Sequence, residues 1–491
     1  MSASTPPRAI QHFIDGRYVP SANGATFEKF SPVDGTLMAH VSEAGEADVD
    51  AAVSAARAAL RGPWGRMGVD ERLALINRIA DEIERRFDDF LDAECADTGK
   101  PKSLARRLDI PRGSANFRAF TEIVKTHHGQ VYFKNTPSYG VLNYTLSKPR
   151  GVIAIIAPWN LPLLLTTWKL APALATGNAV VVKPSEETPS TTALLGEVMN
   201  AVDVPAGVFN VVHGLGPNSA GEFLTRHPGV NGITFTGETG TGEAIMRQAA
   251  TGTRPVSFEM GGKNPALVFA DANLDKAIPE LLRSCFLNSG QVCLGTERAY
   301  VHRTIFDEVV ERLSAGAAKM KIAPPSDPDA ALGPLISQGH RDKVLGYYRQ
   351  AKAAGATVVL GGGVPAMEGA LANGSWVEPT IWTGLPEDAS VIREEVFGPC
   401  VHLRPFDDED EAIQLGNDTP YGLTASIWTQ DVSRAHRVAG AMDVGLCWIN
   451  SWFLRDLRTP FGGAKRSGIG REGGNYSLEF YTEMKNVCID I

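Results

Sequence analysis

The feature that most constrains this chain is a series of short, apolar, β-branched segments that starts at residue 151. GVIAIIAP, AVVVKPSE, GVFNVVHG, GITFTG and PVSFEMGG read as buried strands, with helices between them. A helix is expected from Thr188, with Pro189 in its first turn, and another over TGEAIMRQAA. Strands of this kind alternating with helices indicate a parallel sheet with right-handed crossovers. A second unit repeats the logic: the strand ALVFA, a helix through DKAIPELLRSCFLNSG, the strand ERAYVH and the helix TIFDEVVERLSAGAAKMK. Upstream, residues 48 to 98 read as two helices, the second closing on Gly99 and Pro101. The expectation is an α/β protein of two domains, with short segments left for packing or assembly.

A length of 491 residues fits this division, because it exceeds what one hydrophobic core organises. The net charge of −9 and the lack of a Lys/Arg cluster argue against a nucleic-acid partner. Six cysteines without a CxxC pair indicate neither a disulfide framework nor a zinc ribbon, so reduced thiols in the cytoplasm are expected. The first residues, MSASTPPRAIQHF, lack the pattern of a signal peptide. Val152 to Trp168 approaches the length of a membrane span, but Pro158, Asn160 and Pro162 interrupt it. A buried strand, a loop and a helix start are expected there instead.

Parallel sheets bind ligands at the carboxyl ends of their strands, so a dinucleotide site is tested first. The usual GxGxxG fingerprint, after a strand and opening a helix, is absent. HGLGPNSAG (Gly214, Gly216, Gly221) and FTGETGTG (Gly237, Gly240, Gly242) each follow a strand and precede a helix, where free N–H groups can hold phosphate. In KPSEE, Lys183 and Glu186 lie just past a buried strand, where an adenosine ribose would sit. A carboxylate there accepts bonds from ribose hydroxyls and repels a 2′-phosphate, which favours NAD over NADP. Cys293 in NSGQVCLG is flanked by Gly290 and Gly295; its thiol needs a helper, since only the thiolate is nucleophilic. Glu259 in FEMGGKN and Asn160 in APWN each follow a strand. They are a candidate general base and a candidate oxyanion donor.

PWN, KPSEE, FTGETGTG, FEMGGKN, GQVC, EEVFGP and FGGAKRSGIGRE occur in the order and spacing of the NAD(P)-dependent aldehyde dehydrogenase superfamily, which the chain resembles over roughly residues 12 to 488. The resemblance implies a Rossmann-like cofactor domain (1–129 and 150–259), a catalytic domain (260–470) and an oligomerisation piece (130–149 with 471–491). Homodimers or homotetramers are implied as well. It makes Cys293 the nucleophile, Glu259 the base, and Asn160 with the Cys293 N–H the oxyanion hole. Lys183 and Glu186 match ribose contacts, Glu395 and Phe397 hold the nicotinamide end, and Ile156, Trp159, Gly216, Gly237 and Thr239 complete the NAD site. No metal is required. Glu238 departs from the pattern, since many relatives carry Ser there; its side chain is expected to turn away from phosphate.

NSWFLRDLRTPFGG, DIPRGSANFR, DTGKP and GQVCLGTER are similar to stretches of the 2-hydroxymuconate- and 2-aminomuconate-semialdehyde dehydrogenases. Their substrates carry an aldehyde at one end of a six-carbon diene and a carboxylate at the other. A carboxylate calls for arginine, whose fork binds it bidentately, and Arg112, Arg455 and Arg458 are the candidates. Arg458 would share a face with Arg455 only in a helix, and Asp456 could pair with either. Betaine or succinate semialdehyde as substrate, release of the thioester to CoA, and a catalytically silent homologue are the other readings. Intact Cys293, Glu259 and Asn160 argue against the last.

Overall fold

The computed structural model describes residues 7–491. Its first sheet has eight strands, five of them parallel and buried along nearly their whole length. Their spatial order is Val256–Met260, Gly232–Gly237, Val152–Ile156, Ala179–Lys183, Phe209–Val211. The first strand in sequence therefore lies between the second and the fourth. Connections leave it in opposite directions, which opens a crevice at its carboxyl end. A hairpin of His12–Ile14 and Arg17–Val19 extends one edge, and Gly468–Ile469 pairs antiparallel with Val256–Met260 at the other. Helices cover both faces, each with its own apolar cluster.

The second sheet has seven strands: Thr357–Leu360, Thr380–Thr383, Cys400–Phe406, Thr296–His302, Asn264–Val268, Thr424–Trp428 and Leu446–Ile449. All pairings are parallel except that of the edge strand Thr357–Leu360. A third sheet pairs Thr482–Asp490 with Gly140–Pro149 and the latter with Val131–Asn135, all antiparallel. Among the described residues no helix is long and apolar enough to cross a membrane. The stretch from Val152 resolves into the strand Val152–Ile156, a turn and the helix Pro162–Ala175.

Two helix expectations need correction. The second upstream helix is two, Val69–Arg85 and Phe87–Thr98, broken at Arg86 (φ −97°, ψ 26°). No Gly or Pro marks this break; the Arg86 N–H is shared between the Glu82 and Glu84 carbonyls, which tightens the last turn. The helix expected through Gly290 stops at Phe286, and Asn288, Ser289 and Gly290 all take positive φ. A Cβ on Gly290 would fall 2.0 Å from the Gly398 carbonyl oxygen, so only glycine allows this turn to pack there.

Candidate active site

The crevice opens into a cavity of about 420 Å³. Trp159 and Asn160 come from the turn after Val152–Ile156, Gly237 ends the strand Gly232–Gly237, and Glu238 precedes the helix Thr239–Ala250. Glu259 is the last residue but one of the strand Val256–Met260, Cys293 follows the left-handed turn, and Glu395 and Phe397 complete the wall. Asn160, Gly237, Glu259, Cys293, Trp159, Glu395 and Phe397, scattered through the sequence, thus share one space. Ile156, Lys183, Glu186, Gly216 and Thr239 are not among its walls. Lys183 closes the neighbouring strand and donates to Glu186 at 3.0 Å. Burial raises the Glu186 pKa, but the Lys183 charge, its own backbone N–H and the Lys183 hydrogen bond together hold this carboxyl below its ordinary range. Gly216 has open space where a Cβ would be, and Thr239 starts its helix with a buried hydroxyl that has no partner.

The electrostatics around Cys293 keep the resting proton on the thiol. Burial and the facing Glu259 carboxylate push the thiol well above its usual range, while its own backbone N–H pulls the other way. Burial pushes Glu259 up to about 7, opposed by a bond from the thiol and by the Lys169 and Arg455 charges. Neither Glu259 oxygen has another protein partner. At rest the proton therefore stays on the thiol, and the facing Glu259 carboxylate, ionised above about 7, can accept it only as the sulfur attacks. Asn160 Nδ2 donates to the Gln291 carbonyl at 3.0 Å, which leaves its second amide proton uncommitted. The Asn160 carbonyl accepts from Lys100 Nζ (3.0 Å) and Asn288 Nδ2 (3.1 Å), so this residue is held at both ends.

Behind the thiol lies the stretch WFLRDLR. It is not helical. Trp452 is buried and donates from Nε1 to the Leu294 carbonyl at 2.9 Å, which ties this loop to the residue after Cys293. Arg455 lies over the Phe461 ring at 4.1 Å and over Trp168 at 5.4 Å. Arg112, on the helix Asp109–Thr126, meets the same Trp168 at 5.7 Å. Burial pushes both guanidinium groups down to about 10, which leaves them charged at neutral pH. Arg455 Nη1 and Arg112 Nε are buried without a partner, and neither residue has an acidic group within ion-pair distance.

Arg458 does not join them. Without a helix it points elsewhere, with its guanidinium four-fifths exposed and forked onto Asp456 at 2.6 Å. Glu238 stays among the walls with its side chain largely exposed, and its carboxylate leans to 3.7 Å from Lys343 on the helix Gln338–Ala353.

The sequence profile of the aldehyde dehydrogenase family matches residues 18–487. The chain belongs to the aldehyde dehydrogenase family. A 2-hydroxymuconic semialdehyde dehydrogenase of Pseudomonas sp. (strain CF600) is 64% identical over 99% of this chain and 100% of its own length. A 2-aminomuconic 6-semialdehyde dehydrogenase of Pseudomonas sp. is 56% identical over 99% and 98%. The solved NAD+ complex of the Bacillus cereus aldehyde dehydrogenase superposes with a TM-score of 0.95 at 39% identity, covering 99% of this chain and 97% of that one.

Four wall residues of this aldehyde dehydrogenase escaped sequence reasoning: Ser337, Gly339, His340 and Lys343. They lie around the start of the helix Gln338–Ala353, and no spacing marks them. Trp168 was legible only as one apolar residue of a long run, yet it is the ring Arg112 and Arg455 share.

Proposed function

We propose that this aldehyde dehydrogenase oxidises a semialdehyde of the muconate type, a six-carbon diene with a carboxylate at the end opposite the aldehyde, and uses NAD. The observation that carries this reading is the pair of half-buried arginines, Arg112 and Arg455, which flank Trp168, make no ion pair with a carboxylate of the protein and each keep a buried N–H without a partner. Two partly desolvated cations without a direct ion pair are costly unless a ligand supplies the charge. A substrate carboxylate does so, and its planar diene fits beside Trp452, Phe453 and Phe461, which cluster with Cys293. The names of the most similar relatives, 2-hydroxymuconic and 2-aminomuconic semialdehyde dehydrogenases, agree with this charge pattern.

The chemistry follows from the residue types. Glu259 takes the Cys293 proton as the sulfur adds to the aldehyde carbon. The resulting thiohemiacetal oxyanion accepts from Asn160 Nδ2 and the Cys293 N–H; losing one such donor costs roughly 10²- to 10³-fold in rate. Collapse of the adduct expels hydride from the former aldehyde carbon and leaves a thioester on Cys293. NAD, when bound, accepts that hydride. Once Glu259 has passed the thiol proton on to solvent, it removes a proton from water, which attacks the thioester; the C–S bond breaks, and the acid and the Cys293 sulfur are released. The Lys183–Glu186 pair at a strand end supports NAD over NADP, and the Bacillus cereus neighbour was solved with NAD+.

Assembly and location are part of the same reading. Val131, Tyr132, Phe133 and Met484 expose apolar surface on the three-stranded sheet, as expected of an arm (130–149 with 471–491) that packs on another subunit of a homodimer or homotetramer. A cytoplasmic location fits the free cysteines. Steady-state NADH formation tests the function, with each semialdehyde generated in situ by its ring-cleaving dioxygenase and a neutral aldehyde in parallel. The muconate-type substrates should give the higher kcat/KM by more than tenfold. No NADH from either of them would sink the reading.

A further inference from the structure

Phe397 holds a backbone conformation that a bulky side chain avoids, with φ at +58°. Two side chains fix the peptide groups on either side of its Cα. Its N–H donates to Glu297 Oε1 at 2.9 Å, and the adjacent Val396 N–H donates to Glu297 Oε2 at 3.0 Å. Its carbonyl accepts from His340 Nε2 at 2.8 Å. Burial pushes the His340 pKa down to about 4, so the ring is neutral at physiological pH and donates from Nε2 in that tautomer.

Neither residue is merely near the loop. Glu297 lies four positions after the nucleophile on the strand Thr296–His302 and is ion-paired with the buried Lys263. It therefore ties the wall of the cavity to the segment that carries Cys293. The His340 ring stands edge-on to Trp159 at 5.1 Å and to Phe397 at 6.1 Å, and Phe397 is edge-on to Trp159 at 5.3 Å. The neighbouring Glu395 is set from the other side, where Oε1 accepts from the Gly262 N–H at 2.8 Å.

We infer that Glu297 and His340 are positioning residues: a two-point clamp that holds Phe397 left-handed, and so fixes where Phe397 and Glu395 meet the hydride-accepting end of NAD. This rests on the reading that the cavity binds NAD. Neither residue need touch the aldehyde. The strained backbone persists because both peptide groups are held, and freeing either lets Phe397 relax into the β region. The Phe397 ring and the Glu395 carboxylate then leave their places against the cofactor, while Cys293 and Asn160 keep theirs.

The test uses Glu297→Gln and His340→Phe in the full chain. His340→Phe keeps the ring stack but loses the donor. Three quantities are read: KM for NAD in aldehyde oxidation, NADH affinity by fluorescence titration, and hydrolysis of p-nitrophenyl acetate. The ester acylates the thiol and needs no hydride acceptor. Each variant should raise KM for NAD and the NADH Kd by about tenfold and leave ester hydrolysis within about twofold of wild type. Unchanged NAD and NADH constants in folded variants would overturn the clamp. Equal loss of ester hydrolysis would overturn it as well, since it would mean general damage to the site. If Glu297→Gln fails to fold because Lys263 loses its counter-charge, His340→Phe, which removes one neutral bond, decides alone. Wild-type protein that fails to bind NADH would instead refute the cofactor reading.

Discussion

Replacing Arg455 by Met removes the fork that would hold the substrate's carboxylate while a stem remains to pack between Phe461 and Trp168. The magnitude follows from the geometry. A half-buried guanidinium with a free Nη1 would make charge-assisted hydrogen bonds to a carboxylate. Removing such a bond costs roughly 1.5–3 kcal/mol, or about 10- to 150-fold in kcat/KM for the muconate-type substrate. A neutral aldehyde of similar length has no group to lose and should fall by less than about threefold. The variant also removes a positive charge that lowers the Glu259 pKa, so the acidic limb of the pH–rate profile should move above about 7 on both substrates. The assay is NADH formation across pH with the two aldehydes, on protein whose melting temperature matches wild type. An equal fall on both substrates would refute the anchor, and so would an unshifted acidic limb combined with no loss at all.

Glu259→Gln removes the base for both the thiol and the water, so it should slow the first burst of NADH as well as steady-state turnover; a rapid full burst followed by a stall would show that Glu259 acts only on the water. In wild type, activity should fall as pH drops through about 7, because the base must be ionised. The same shift affects stability: the folded carboxyl keeps its proton up to about 7 but an unfolded one only to 4.5, so this group's contribution declines as pH rises between those values. Arg458→Ala, which breaks only an exposed pair with Asp456, should leave KM and melting temperature unchanged, and a large KM increase would return Arg458 to the site. Glu238→Ser removes a negative charge at the start of the helix Thr239–Ala250, where a diphosphate would sit, and should tighten NADH by about two- to fivefold. Weaker binding would show instead that the contact with Lys343 helps to close the cavity.

The sequence by itself determined the fold class, because period and composition dictate it: apolar β-branched runs of strand length between helices can only be buried in a parallel sheet. It also singled out the candidate reactive groups, since Cys293 and Asn160 lie just past a regular element and Glu259 near the end of one, with glycines or prolines nearby. The break at Arg86 was illegible because no Gly or Pro caused it; a shared carbonyl bond did. The tertiary structure alone decided which arginines face inward. Arg455 and Arg458 are three residues apart in one loop, and sequence spacing treats them alike. Only the rings of Trp168 and Phe461, which come from other segments, bury one and leave the other to Asp456. His340 and Glu297 were likewise invisible, because their importance lies in two hydrogen bonds to the backbone of Phe397. A backbone carbonyl and an N–H have no letter in a sequence, so what holds them is known only once the chain has folded.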